Sequence, residues 1–176
     1  MHKPDLQPAP GDEVAAAVVE RIKGAQAVDS HGQPVVYVPR ELWLEAVRFL
    51  KDEQQFSQCS DITAVDQLLR PDRVVPAGVE RERFEVVANF LSHSRNRRIR
   101  LICEVPDGAP VDSLFELFPG TELPEREIYD LFGLRFTGHP DLVRLLLPDD
   151  WEGHPLRKDD HPGRVPVQFK EAQAPR

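Results

Sequence analysis

Two sets of side chains in this sequence have types that could do acid–base or metal chemistry. The first is Glu125, Glu127 and Asp130, within PEREIYDLFG. Such carboxylates act as general acid and base when a pocket raises the pKa of one of them. On a helix, however, Glu127 and Asp130 share a face, and acids in a first turn are already favoured by the helix dipole. The pattern therefore predicts structural carboxylates. The second set is His139, His154 and His161 with Asp141, Asp149 and Asp150. A helical metal site would carry two His at i and i+4, and no such pair occurs. The triplet Gly-His-Pro, at 138–140 and again at 153–155, instead predicts rigid turns with each imidazole bonded to backbone.

The 2 cysteines, Cys59 and Cys103, form no Cys-x-x-Cys pair. Neither a thiolate zinc site nor an iron–sulfur cluster is supported, and both residues read as buried apolar thiols in strands. Arg95, Arg97, Arg98 and Arg100 cluster around a hairpin tip. A solvated turn is the ordinary reading, and a dock for an acidic partner surface or anionic lipid is the sharper one. RNA binding lacks the exposed aromatic pair that base stacking needs. No catalytic, cofactor-binding or metal-binding residue is assigned.

These residues need elements to position them. Asp12 N-caps a helix in GDEVAAAVVERIKGA, with Val14, Val18 and Ile22 on one face and Gly24 after its end. PVVYV predicts a strand. Pro39 opens a second helix whose stripe is Leu42, Ala46, Phe49 and Leu50, with Trp43 and Val47 alongside. FSQCSDITAVDQLL predicts a strand bent near Asp61. RFEVVANFLS and RRIRLICEV alternate, placing Phe84, Val86, Ala88 and Phe90 on one face, and Ile99, Leu101, Cys103 and Val105 on one face of the next strand. HSRNR is the hairpin turn between them. VDSLFELF predicts a short helix, and Pro124 opens another that Gly133 caps.

The chain has 176 residues, 40% hydrophobic and 30% charged, which suits one domain, or one domain plus a long tail. Its net charge of −8 argues against nonspecific nucleic-acid binding. Prolines, 17 in all, crowd the first ten residues and the last third. The opening lacks an apolar leader core, and no window is long enough to span a bilayer, so a cytoplasmic location is expected, with membrane contact only through partners. The expected architecture is a flexible arm over 1–10, an α+β domain over 11–137, and an extended partner-binding tail over 138–176. The α+β domain is a two-layer mixed sheet with its helices on one face.

The tail carries acids, bases, Trp151 and large aliphatics without a periodic pattern. It cannot bury enough of itself to fold alone, yet these residue types are enriched at interface centres. An extended arm that orders against another protein is the physical reading. It marks Glu125, Arg126, Glu127, Asp130, His139, Asp141, Arg144, Asp149, Asp150, Trp151, His154, Arg157 and Lys158 as partner-interface residues.

The unbroken run EREIYDLFGLRFTGHPDLVRLLLPDDWEGHPLRKD resembles the small hydrophilic peripheral-arm subunit of respiratory complex I. This is the family of the C subunit of NADH-quinone oxidoreductase, the thirty-kilodalton subunit of mitochondria. SDITAVD and RFEVVANFLS resemble it too. Two places depart from the family pattern: Asp160-His161-Pro162, where Tyr-Pro is usual, and Leu123-Pro124, where an aromatic is usual.

The resemblance implies a non-catalytic assembly subunit of a proton-translocating enzyme. NADH, flavin, iron–sulfur clusters and quinone would be handled by other subunits. Its partners would be the hydrogenase-like large quinone-site subunit and the adjacent terminal-cluster subunit, at the cytoplasmic side of the bacterial inner membrane. The equivalent subunit of a membrane-bound hydrogenase or ferredoxin-linked complex is the nearest alternative. A metal-dependent hydrolase built on the His/Asp residues is the more distant one.

Overall fold

The computed structural model describes residues 7–8 and 11–160. Its elements are β1 (Gln7–Pro8), α1 (Glu13–Arg21), β2 (Gln26–Ser30), β3 (Gln33–Tyr37), α2 (Trp43–Asp52), β4 (Gln58–Asp66), β5 (Phe84–Ser92), β6 (Arg97–Val105), β7 (Val111–Asp112), α3 (Glu122–Phe132) and β8 (Phe136–Thr137). The expected arm over 1–10 lies, apart from Gln7–Pro8, outside the described residues, as do 161–176 of the expected tail.

Asp12 caps α1 as its residue type predicts, accepting from the Val14 and Ala15 amides at 3.0 and 2.9 Å. The main sheet has the order β1-β2-β3-β6-β5-β4. Its pairs are antiparallel except β3 with β6, which run parallel, so the sheet is mixed. The bend near Asp61 is a bulge between Cys59 and Asp61. Alternation sorts the faces as expected. Val36, Ile62, Phe84, Val86, Ala88, Phe90, Leu101 and Cys103 pack in one core with Val18 of α1, Trp43 and Leu50 of α2, and Ile128 and Phe132 of α3. All three helices therefore cover one face. The other face carries a smaller cluster of Val28, Val35, Tyr37 and Ile102, roofed by Val75 and Val79 from the long β4–β5 loop.

Two elements differ from expectation. β2 is an additional strand. It hairpins onto β3 through His31 and Gly32, both at positive φ (56° and 79°), the geometry of a two-residue turn matched to strand twist. The helix predicted over VDSLFELF is not formed. Val111 and Asp112 pair in parallel with β8 instead, and the chain then makes a single turn in which the Leu114 carbonyl accepts from the Leu117 and Phe118 amides at 3.0 and 2.8 Å. Leu114, Leu117 and Phe118 still reach the core.

α3 begins at Glu122, ahead of Pro124. Its first turn tolerates that proline because first-turn amides have no intrahelical acceptor. Gly133 ends it at φ 75° and donates to the Tyr129 carbonyl at 2.9 Å. A Cβ there would also sit 2.7 Å from the His154 ring, so glycine is required both by conformation and by space.

Candidate functional site

The charged segment gathers around α3. Asp130, with none of its surface exposed, is the centre. Its Oδ2 accepts from three successive amides, Leu145, Leu146 and Leu147, at 3.0, 2.7 and 2.9 Å. Its Oδ1 accepts from Arg144 Nη1 at 2.7 Å. Burial alone would raise this carboxyl's pKa, but the amides and the guanidinium outweigh it and hold the group at about 2. Arg144 reaches on to the carbonyls of Trp151 and Gly153 at 2.9 and 3.3 Å. Arg126 donates from the helix to the carbonyls of Val143 and Arg144 at 3.2 and 2.9 Å.

Both Gly-His-Pro turns are rigid in the way their composition predicts. His139 Nε2 lies 3.0 Å from the Glu122 carbonyl, and His154 Nδ1 lies 2.9 Å from the Asp130 carbonyl. The imidazoles hold backbone. Among the described residues no three His, Cys, Asp or Glu side chains are grouped to hold a metal ion, and His161 lies outside those residues. The thiols of Cys59 and Cys103 are pushed up to about 12 by burial. Glu125 is buried as well, accepting from Ser113 Oγ at 2.5 Å and the Leu114 amide at 2.8 Å. Burial raises its pKa.

A second clamp holds the end of the segment. Asp66, at the end of β4, has a fully buried side chain. It accepts from Arg83 Nη2 at 3.0 Å and from the Lys158 amide at 2.8 Å. Arg83 also contacts Asp159 at 2.5 Å and Asp107 at 2.8 Å. Arg157 Nη2 is 2.7 Å from both oxygens of Asp107, and the Arg83 and Arg157 guanidinium carbons lie 4.9 and 5.1 Å from the Phe84 ring centre. Burial would raise the Asp66 pKa, but Arg83 and the amide donors outweigh it and bring it below the usual value.

Residues 138–160 form no regular element after Gly138, but they are laced to the chain's own core rather than extended away from it as expected. The reason is chemical. The fold offers this segment two buried carboxylates, Asp130 and Asp66, and the segment's backbone amides help to satisfy both. Glu125 and Asp130, expected at a partner surface, face inward instead: Asp130 positions the segment, and Glu125 holds the turn at Ser113 and Leu114. Arg126, Arg144, His139, His154 and Arg157 are half-buried and bonded within the chain. Glu127, Asp141, Asp149, Asp150 and Lys158 are exposed, and Trp151 is half-buried with an Nε1 that has no partner among the described residues. Leu123, Val143, Leu146 and Leu156 are exposed by 53, 47, 60 and 44%. The clamp residues Asp66, Arg83 and Asp107 were not singled out from the sequence, because no local pattern marks a side chain whose partners lie dozens of residues away.

Fold and site together define a mixed α+β domain whose irregular C-terminal segment is clamped by buried carboxylates and turns acids and leucines outward. A family model described as the 30 Kd subunit of the respiratory-chain NADH dehydrogenase matches residues 36–165. The chain is 41% identical to the C subunit of the NADH-quinone oxidoreductase of Methylobacterium radiotolerans, over 97% of this chain and 79% of that one. It is 43% identical to the C subunit of the Geobacter sulfurreducens enzyme, over 73% of this chain and 74% of that one. Among solved structures, the trypsin-resistant fragment (1-134) of Nqo5 superimposes with a TM-score of 0.63 at 32% identity, over 73% of this chain and 99% of the fragment. The chain belongs to the 30 kDa subunit family of the respiratory-chain NADH dehydrogenase, complex I.

Proposed function

We propose that this chain is a non-catalytic assembly subunit of the peripheral arm of a proton-translocating NADH:quinone oxidoreductase. It docks on the hydrogenase-like large quinone-site subunit beside the subunit that holds the terminal cluster. NADH, flavin, iron–sulfur clusters and quinone are handled by those partners. The chain is peripheral, on the cytoplasmic side of the inner membrane. No described helix is long and apolar enough to cross a bilayer, which fits attachment through partners.

The observation that carries the reading is a segment immobilised from within that leaves its leucines uncovered. Asp130 and Asp66 fix the backbone of 138–160, and Leu123, Val143 and Leu146 remain solvent-facing with Asp149, Asp150 and the edge of Trp151. Exposed apolar groups with charges and an aromatic at hand are the composition of an interface centre and its rim. A pre-ordered surface also binds without the entropy cost that a free tail would incur. Glu127, Asp141 and Lys158 are exposed and available to the same partner, and Asp130 supports the segment from beneath.

The test is affinity recovery of the tagged chain from its own membranes. The expected result is co-recovery of the quinone-site and terminal-cluster subunits, with Leu146→Asp reducing that recovery by an order of magnitude while the isolated variant melts as the wild type does. Recovery of nickel-hydrogenase catalytic subunits in their place, or a purified chain that carries flavin or iron–sulfur absorbance, would overturn the proposal.

A further inference from the structure

The two faces of the main sheet are covered unequally. The helices cover one. On the other, the β4–β5 loop lays Val75 and Val79 over the cluster of Val28, Val35, Tyr37 and Ile102. Towards the β5–β6 turn the same face holds a cavity of about 350 Å³, lined from β3, β4, β5 and β6 and by no residue of that loop. Strand alternation also divides the four arginines that cluster in the sequence. Arg95 and Arg97 turn to the helix side, where Arg95 donates to Gln54 at 2.7 Å and Arg97 lies 3.7 Å from Asp12. Arg98 and Arg100 turn the other way and line the cavity.

Arg100 is the decisive residue. It is half-buried, and its Nε donates to Oδ1 of Asn89, directly across on β5, at 3.0 Å. Its two Nη groups carry no hydrogen bond among the described residues and remain open to solvent. Arg73, Arg83, Arg144 and Arg157 are also drawn out of solvent, and each of them grips a carboxylate. Arg98 and Arg100 have no carboxylate partner among the described residues. A neutral amide orients the Arg100 guanidinium without neutralising it, so the fork stays charged and aimed. Residues two apart on a strand share a face at roughly 7 Å, so the Arg98 and Arg100 charges oppose one another until an acid comes between them.

We propose that this half of the sheet face seats a carboxylate-bearing segment of a neighbouring protein subunit, its acid held by the forks of Arg100 and Arg98. The inference rests on the reading of the chain as a complex I subunit. Charge selects the occupant. Two guanidiniums face a single acid in the lining, Asp61, and the local surplus calls for an anion. The chain as a whole carries −8, which repels an anionic bilayer surface. Asp61 stands opposite Asn89 on β4, where it opposes a dianionic phosphate and offers an acceptor to the donors of a peptide. A protein segment that carries both acids and donors therefore satisfies the whole lining, and a planar fork meets both oxygens of a carboxylate. The cavity lies on the sheet face opposite α3, so it would give the subunit a second point of attachment besides the leucine surface.

The probe is an acetylated, amidated tetraglutamate peptide. It is titrated into the full isotope-labelled chain and followed at the Nε–H signals of Arg98 and Arg100 and at the backbone and side-chain amides of Asn89. Arg98→Gln/Arg100→Gln removes both charges and leaves an amide opposite Asn89. Gln33→Glu, at an exposed position of the lining, supplies an internal acid that competes with the probe and leaves both arginines in place, so it decides the matter if the double variant does not fold. The expected result is saturable shifts in the wild type, affinity weakened roughly tenfold in either variant, and a several-fold lower recovery of either folded variant in the assembled complex. Absence of saturable shifts overturns the site, as does wild-type affinity in both variants. Peptide binding with unchanged recovery of both variants in the complex overturns the neighbouring subunit as occupant. So does tighter binding to phosphatidylglycerol vesicles than to the peptide, which would make the occupant a membrane, or a dimer of the free chain that the variants dissociate, which would make it a second copy. If the wild-type chain recovers no respiratory-chain subunit, the assembly reading falls and takes this occupant with it, whereas the peptide shifts still report on the cavity itself.

Discussion

Two long irregular segments cover this domain, and they are tied down in opposite ways. The segment after Gly138 brings amides and arginines to a carboxylate owned by the fold, Asp130 on α3. The β4–β5 loop brings a cation, Arg73, to carboxylates owned by the sheet, Glu85 and Glu104. Asp130 ends with both oxygens satisfied and its pKa held at about 2. Glu104 ends opposite a second carboxylate, Glu85, with its pKa raised to about 7 by burial. One clamp is at electrostatic rest, and in the other two carboxylates share one guanidinium. The first is what a structural fastening needs, and the second holds its proton more tightly in the folded state.

Asp130→Ala tests the contrast most severely. It leaves the Arg144 guanidinium and three amides without their acceptor. Stranding one partner of a buried pair costs roughly 3–5 kcal/mol. Chemical denaturation of the isolated chain should show that loss, and hydrogen exchange at the Leu145, Leu146 and Leu147 amides should speed up before exchange at β5 and β6 does. A loss below about 1 kcal/mol would mean that the segment is held by something other than Asp130.

The two carboxylates should also give opposite slopes of stability against pH. Asp130 has a folded pKa below its ordinary 3.8, so its contribution is present above that value and is lost as pH falls towards about 2. From the shift, that contribution is roughly 2 kcal/mol. Glu104 has a folded pKa above its ordinary 4.5, so the folded state holds the proton more tightly, and stability falls as pH rises from there to about 7. The size is on the order of 1–3 kcal/mol. Unfolding free energies across the acid and neutral ranges check both signs. Glu104→Gln should flatten the upper slope and leave the acid limb unchanged. A variant that keeps the upper slope would assign it to another group.

The sequence revealed these regions unequally. Asp12 announced α1 because capping is local, and the alternation in β5 and β6 sorted the faces because a half-buried strand writes its burial into every second residue. β2 was illegible: in QAVDS only Val28 is buried, and its identity as a strand comes from pairing with β3. VDSLFELF has helical spacing, but its first two residues find a partner in β8, past α3, and that long-range pairing prevailed over local propensity. The candidate site was half legible. Composition showed that residues 138–160 must be satisfied by something. Periodicity carries no trace of a side chain that bonds backbone amides 15 to 17 positions away, as Asp130 does, so the fold's own carboxylates could not be chosen over a partner's.

Arg157→Ala has a smaller expected effect and places the boundary between clamp and surface. The sequence suggests a partner contact, but Arg157 bonds Asp107 and stacks over Phe84, with its side chain 20% exposed and that of Asp107 46%. A half-exposed pair of this kind with its aromatic contact is worth about 1 kcal/mol. The loss should show in the melting of the isolated chain, accompanied by faster exchange at the Lys158 amide. A variant that melts normally alone but fails to enter the complex would return Arg157 to the interface.

Asp150→Ala should do the least to the chain and therefore says the most about the surface. Asp150 stands beside Trp151 within the clamped segment, exposed, with no side-chain hydrogen bond among the described residues. An exposed, unpaired carboxylate contributes nothing that folding can lose, so the isolated variant should melt within about 0.5 kcal/mol of wild type. In the assembled enzyme the same carboxylate would be covered. If it meets a partner's arginine there, its removal strands that charge and costs roughly 2–5 kcal/mol of binding. The comparison that matters is between Asp150→Ala and Asp130→Ala, two acids of one segment. The first should reduce recovery in the complex and spare the fold, and the second should damage the fold and reduce recovery only as a consequence. If Asp150→Ala assembles as the wild type does, the acid beside Trp151 is solvated in the complex too, and the docking surface must be carried by Leu123, Val143 and Leu146 without it.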